Sequence, residues 1–174
     1  MKLKNKKAAI LVEDLYNDLE VWVPYYRLKE EGVLVHVVGS GTASTYHGKY
    51  GVQISADMCA KEVRGKDFDL VIIPGGYAPD RMRIHPEMVQ LVREAAENGK
   101  ILASICHGGW MLASANVVRG KRLTSYVAIK DDLVNAGALW EDSEMVQDGA
   151  LITSRKPEDL PAFCRAIIQS MSSL

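Results

Sequence analysis

Residues 101–112 read ILASICHGGWML. Five mostly apolar residues run into a cysteine, a histidine and two glycines, after which the apolar spacing becomes helical. That is the pattern of a buried strand turning into a helix. Ser104-x-Cys106-x-Gly108 has the shape of a nucleophile elbow, in which small residues flank the nucleophile because the backbone turns sharply on itself. A side chain so placed stands in a strained conformation at the start of a helix. Free N–H groups and the partial positive charge there favour thiolate over thiol. The elbow therefore predicts an exposed, activated Cys106 with its pKa lowered, roughly into the 3.5–7.5 range of activated thiols. An isolated cysteine is ordinarily a small buried hydrophobe; here the elbow pattern, His107 beside it and the Gly108-Gly109 pair favour a reactive thiol. Cys59 and Cys164 lack that context and read as structural.

Working outward, strand-like and helix-like segments alternate. Residues 8–12 and 33–38 read as strands, and residues 19–31 between them as a helix capped by Asn17 or Asp18, stopped by Gly32 and carrying Pro24 in its interior. Residues 46–55, around HGKYG, read as an irregular hairpin. A buried strand at 70–73 ends in Pro74-Gly75-Gly76, and a helix opens at His85-Pro86 and closes at Gly99. After the elbow come a helix from about Gly108, another over 128–135, strands within 145–153 and a last helix over 159–171. Apolar strands alternating with amphipathic helices predict an α/β fold, a doubly wound, mostly parallel sheet covered on both faces. Sites in such sheets collect at the carboxyl ends of the strands, where the strand order reverses. The acidic segment after the first strand, Pro74-Gly75-Gly76 and Cys106-His107 all fall at such ends.

The 174 residues are read as one domain, 1–174, with residues 1–7 (MKLKNKK) a flexible, solvated tail. A net charge of -1 gives no reason to expect nucleic acid or an anionic membrane as partner. The apolar run after the basic start is too short for an export signal, and no window approaches the roughly 18 apolar residues of a membrane span. Three widely spaced cysteines without such a signal imply a reducing cytoplasm and no disulfide framework. No spacing suits a zinc site, a P-loop or a dinucleotide fingerprint, so neither metal nor cofactor is expected. His36 reads as a core histidine, and His47 and His85 as loop or cap residues. Because no histidine follows His107, a glutamine amidotransferase built on this kind of elbow would lack its base. Pro74-Gly75-Gly76 is either an ordinary turn or a source of bare N–H groups for an oxyanion hole. His107 is either a base for the thiol or a local cap.

ASICHG, together with IIPGGYAPDRMR, LTSY, IKDD, NAG and TSRKPEDLPAF, resembles the PfpI/ThiJ family, in its PfpI-like branch, over nearly the whole chain. The resemblance implies a flavodoxin-like fold with Cys106 as nucleophile. It implies that Glu20 sits protonated against the thiolate, that His107 belongs to a peptidase-type triad, and that Asp80 completes that triad from a neighbouring subunit. It further implies an oxyanion hole from Gly76 and the N–H of His107, Tyr126 near the pocket, and a homo-oligomer, dimer or hexamer. Three departures stand out: Asn17 where the family often has an acid, Asp80 one methylene shorter than glutamate, and Gly109-Trp110 where Pro-Gln is common. With Gly75, Tyr77, Trp110 and Tyr126 around the thiol, the pocket has room for more than a small aldehyde.

Three functions follow from the resemblance. The first is cofactor-free thiolate addition to a reactive carbonyl such as methylglyoxal, or the matching removal of early glycation adducts, in stress protection. The second is an intracellular cysteine peptidase using Cys106, His107 and Asp80. The third is a stress protein that senses oxidation at Cys106 or acts as a chaperone. A carboxylic acid beside the sulfur favours the first, because a protease thiolate is balanced by His⁺.

Overall fold

The computed structural model describes residues 3–174. Its elements, in chain order, are β1 (Lys7–Val12), α1 (Asp18–Glu30), β2 (Leu34–Gly39), β3 (Thr45–His47), β4 (Gln53–Ser55), β5 (Met58–Cys59), β6 (Leu70–Ile73), α2 (Ala78–Met82), α3 (Pro86–Glu97), β7 (Ile101–Ile105), α4 (Gly109–Ser114), β8 (Arg122–Leu123), α5 (Lys130–Asn135), β9 (Leu139–Trp140), β10 (Val146–Asp148), β11 (Leu151–Ser154) and α6 (Leu160–Ser172). Seven strands form one sheet in the order β10-β11-β7-β6-β1-β2-β5. Every pairing in it is parallel except the edge pair β10–β11. The chain steps from β1 outward to β2 and then returns to the other side of β1 with β6, so the order reverses between β1 and β6.

The sheet is parallel because its central strands have no polar face. All of β6 and β7, and all of β1 beyond Lys7, is buried, which requires helices on both sides. α1 and α6 pack together on one side and α3 with α4 on the other. The α/β fold, its mostly parallel sheet and the helix cover are as the alternation of patterns predicts. The 46–55 hairpin is present as antiparallel β3–β4, and α1 continues through Pro24. Sequence periodicity misses α2 and the two-residue strands β5, β8 and β9, which are too short to carry a period.

Two expectations need correction. Residues 3–7 are not a flexible tail: Leu3 is 2% exposed, its N–H donates to Glu31 O at 3.1 Å, and Lys7 begins β1. Residues 1–2 lie outside the described residues. His36 is not a core histidine either; it is half-buried on β2, with its ring 6.1 Å from that of Phe68. His47 and His85 sit in β3 and at the head of α3. Among the described residues no helix is long and apolar enough to cross a membrane.

Candidate active site

The carboxyl ends of β1, β6 and β7 lie side by side, and each delivers part of one site. β7 leads directly into Cys106, whose φ of +61° places a non-glycine residue in the left-handed region, at a cost of roughly 1–2 kcal/mol. The glycine that follows the cysteine in the elbow is required by contact. A Cβ on Gly108 would stand 2.5 Å from Ile73 O and 2.8 Å from Ser104 Oγ. Behind the elbow a single 3₁₀ turn leads into α4, which is six residues long.

β6 ends at Ile73, and the chain then passes through Pro74, Gly75 and Gly76. Gly75 fits directly against the reacting groups: a Cβ there would be 2.6 Å from Glu20 Oε2 and 2.9 Å from Cys106 Sγ. Its N–H donates to Glu20 Oε2 at 2.6 Å. Gly76 has φ +77°, and a Cβ would meet Leu15 O at 2.4 Å, so the chain takes this path only with glycine. The segment is sewn to the loop after β1, where Asn17 N–H donates to Gly75 O at 3.1 Å and Tyr77 N–H to Leu15 O at 2.9 Å. The backbone N–H groups of Gly76 and His107 both point at the sulfur and favour its charged form.

β1 leads through Asn17, whose side chain caps α1 by accepting from Leu19 N–H at 3.2 Å. One turn into α1 is Glu20, with no exposed surface. Of its two oxygens, Oε1 has no hydrogen-bond partner in the protein. Burial raises the carboxyl to about 7, against the opposing pull of the Gly75 N–H, the Cys106 thiol and the charge of Lys49. The thiol rises to about 12, first through burial and then through the facing Glu20 charge.

This reverses the thiol pKa expected from the elbow alone. Cys106 is 7% exposed and looks at an acid, and the short α4 does not offset either effect. The two groups titrate as a pair. Between their two steps the pair holds one proton, which resides on sulfur or on the carboxyl. The two N–H donors aimed at the sulfur favour the form with a protonated Glu20 and a thiolate.

His107 Nδ1 lies 3.2 Å from Cys106 Sγ. Its ring stacks on Tyr126 at 5.0 Å and meets Trp110 edge-on at 5.3 Å. Burial, and then the charge of Lys49, hold the imidazole below its ordinary value, so it is neutral at neutral pH. Among the described residues no side chain accepts from its other ring nitrogen, and Asp80 is exposed on α2, with no hydrogen bond or ion pair to it within the chain.

Over the sulfur opens a cleft of about 530 Å³, lined by Asn17, Lys49, Tyr50, Gly76, Tyr77, Cys106, His107, Tyr126, Lys156, Pro157 and Glu158. Gly75 lies beneath it. Gly109 and Trp110 lie outside it: Gly109 packs on Leu133 and Ile129, while Trp110 bonds Asp132 at 2.7 Å and carries Arg83 on its ring at 5.6 Å. Gly109 and Trp110, expected in the pocket, therefore back His107 and do not form the cleft wall. Sequence reasoning missed Lys49, Tyr50 and the residues 156–158. HGKYG reads locally as a turn, and only its approach from a distant hairpin brings it to the thiol. Among the described residues no group of three or more His, Cys, Asp or Glu side chains is placed to hold a metal ion.

A strained cysteine over a buried glutamate, at the reversal of a parallel sheet, invites comparison with known proteins. The model of the DJ-1/PfpI family matches residues 6–170. Deglycase PfpI of Pyrococcus furiosus is 40% identical over 163 residues, covering 94% of this chain and 98% of its own. Protein/nucleic acid deglycase 2 of Escherichia coli is 36% identical over 171 residues, 97% of this chain and 99% of its own. Among solved structures, a two-domain protein of Anabaena variabilis with DJ-1/ThiJ/PfpI-like and ferritin-like domains superposes with a TM-score of 0.94 at 44% identity, over 96% of this chain and 48% of that one. A match running from the first strand into the last helix, and shared by sequence and fold alike, leaves one assignment: the chain belongs to the DJ-1/PfpI family.

Proposed function

We propose that the protein is a cofactor-independent hydrolase of reactive carbonyls, of the glyoxalase or deglycase type, with Cys106 as nucleophile and Glu20 as its proton partner. One observation carries the reading: the sulfur faces a fully buried carboxyl with a free oxygen, while the adjacent imidazole is held neutral. Relatives named as deglycases support it.

In this reading the thiolate attacks the aldehyde carbon, and the carbonyl π pair moves to oxygen beneath the N–H groups of Gly76 and His107. Oxygen takes the Glu20 proton, giving a hemithioacetal. For a dicarbonyl such as methylglyoxal, the Glu20 carboxylate then removes the proton from the former aldehyde carbon. Returning it to the neighbouring carbon, while the hydroxyl proton passes from the first oxygen to the second, yields a thioester of a hydroxy acid. Water cleaves the thioester, releasing lactate and the thiol. The test is lactate formation by the protein beside its Cys106→Ser variant, with turnover expected to fall at least about a thousandfold. Absence of turnover in the unaltered protein, with Cys106 still open to alkylation, overturns the reading.

A peptidase reading is favoured by one separate observation, the unpartnered outer nitrogen of His107 together with an exposed Asp80 on α2. In a homo-oligomer, Asp80 of a second copy would orient His107. Mixing inactive Asp80→Ala and Cys106→Ala subunits then restores activity, because one interface regains both groups. No recovery in verified mixed oligomers removes Asp80 from the site.

A further inference from the structure

The β3–β4 turn beside the thiol is held by more than its own backbone. Asp18, the first residue of α1 and a buried acid, accepts from the N–H groups of Tyr50 and Val52, both at 2.9 Å. Gly48 lies flat on that carboxylate, where a Cβ would come within 2.2 Å of Oδ1. Tyr16 adds two bonds, its hydroxyl donating to Val52 O at 2.6 Å and its carbonyl accepting from Lys49 N–H at 2.8 Å. Tyr16 is in turn bridged to Gly76. The backbone of Lys49 is thus fixed to the same segment that supplies an oxyanion donor, and its ammonium rests 4.9 Å from the centre of the Tyr50 ring.

Lys156 enters the same cleft from the loop between β11 and α6. Among the described residues neither lysine is within ion-pair distance of a carboxylate. Of the described residues lining the cleft, Glu158 is the one exposed acid, and Asn17 contributes no charge. A turn built to hold one ammonium group near a nucleophilic sulfur, with a second lysine on the same cleft, is suited to a negatively charged substrate. We propose that Lys49, assisted by Lys156, makes this cleft select carbonyl compounds that carry a carboxylate or phosphate close to the reacting carbon.

The proposal rests on the carbonyl reading above and specifies its substrate class. The chemical step is unchanged. Sulfur bonds to the aldehyde carbon, the π pair goes to oxygen, oxygen takes the Glu20 proton, and the substrate's anionic group lies toward Lys49. Coulomb attraction at the mouth of a partly desolvated cleft is worth a severalfold rate preference, reduced by salt.

The experiment compares the rates at which iodoacetate and iodoacetamide alkylate Cys106, read by mass spectrometry at fixed pH. In both reactions sulfur bonds to carbon and iodide leaves, so the ratio of rates cancels the thiolate fraction and isolates the attraction of an anion. The ratio is expected to exceed that of a free cysteine peptide by about fivefold. It should fall toward the peptide's value in Lys49→Gln, invert in Lys49→Glu, and decline with salt in the unaltered protein. Equal ratios in the unaltered protein and Lys49→Gln overturn the proposal.

Protection of Cys106 from iodoacetamide by glyoxylate, glyceraldehyde 3-phosphate and the neutral glycolaldehyde distinguishes carboxylate from phosphate. Equal protection by all three also overturns the proposal. Because alkylation needs no turnover, the two readings fail separately. A Lys49-dependent ratio without lactate formation upholds the anion preference and removes the enzymatic reading. Lactate formation with equal ratios does the reverse.

Discussion

Cys106 and Cys164 are nearly equally deep, at 7% and 6% exposed, and burial pushes both thiols up, to about 12 and about 11. Depth alone therefore does not separate them. Cys164 lies within α6, in ordinary helical backbone, as a small apolar group. Cys106 is held in the left-handed region, with two backbone N–H groups aimed at its sulfur and the Glu20 carboxyl beside it. The difference is a proton that can move. A buried thiol with no acceptor stays a thiol, whereas one that shares its proton with a buried acid becomes a thiolate without adding net charge to the site.

Removing the movable proton gives the largest expected change. Glu20→Gln keeps an oxygen to accept from Gly75 N–H but cannot take or return a proton. Turnover of a dicarbonyl is expected to fall by about 10²-fold or more, measured as kcat/KM beside the unaltered protein. Turnover near that of the unaltered protein would reduce Glu20 to a packing residue.

The same carboxyl writes its state into stability. Its folded pKa of about 7 lies above the ordinary value of 4.5, so the folded state binds its proton more tightly than the unfolded chain. Its contribution is then fully present below about pH 4.5 and is lost as pH rises through about 7, by roughly 3 kcal/mol. Glu20→Gln has no such group, so denaturant unfolding should show it gaining on the unaltered protein across that window. Parallel profiles for the two proteins would mean that the carboxyl is not raised.

Much of this architecture is legible in local sequence. The parallel sheet follows from apolar strands alternating with amphipathic helices, and the elbow from Ser104, Cys106 and Gly108. What the sequence hides is contact between distant segments. The pKa of Cys106 depends on Glu20, 86 positions earlier in the chain, and on burial, so the local helix-start argument points the wrong way. Asp18 reads as a cap, yet it holds a turn 32 and 34 residues away, and Lys49 becomes a site residue only through that grip. Trp110 follows the elbow closely in sequence, but the rotation of α4 sends it behind His107. Leu3 looks like part of a charged tail because five of its neighbours among residues 1–7 are lysine or polar, and only its packing shows it as core.

The smallest effect is the sharpest test of whether burial and reactivity are separate properties here. Cys164→Ala removes one buried sulfur from the interior of α6, with a cost of about 1 kcal/mol that the higher helix propensity of alanine partly offsets. Dicarbonyl turnover should stay within about twofold of the unaltered protein. Cys106→Ala removes the same atom and abolishes turnover, but its stability should change by no more than about 1 kcal/mol. Alanine keeps the strained backbone while taking a thiol away from a carboxyl that disfavours its ionised form. Thermal unfolding should therefore change little in both variants, while turnover separates them. If Cys164→Ala loses activity in proportion to its stability, the thiol in α6 is coupled to the site through the sheet that both cysteines flank, and the separation drawn between them fails.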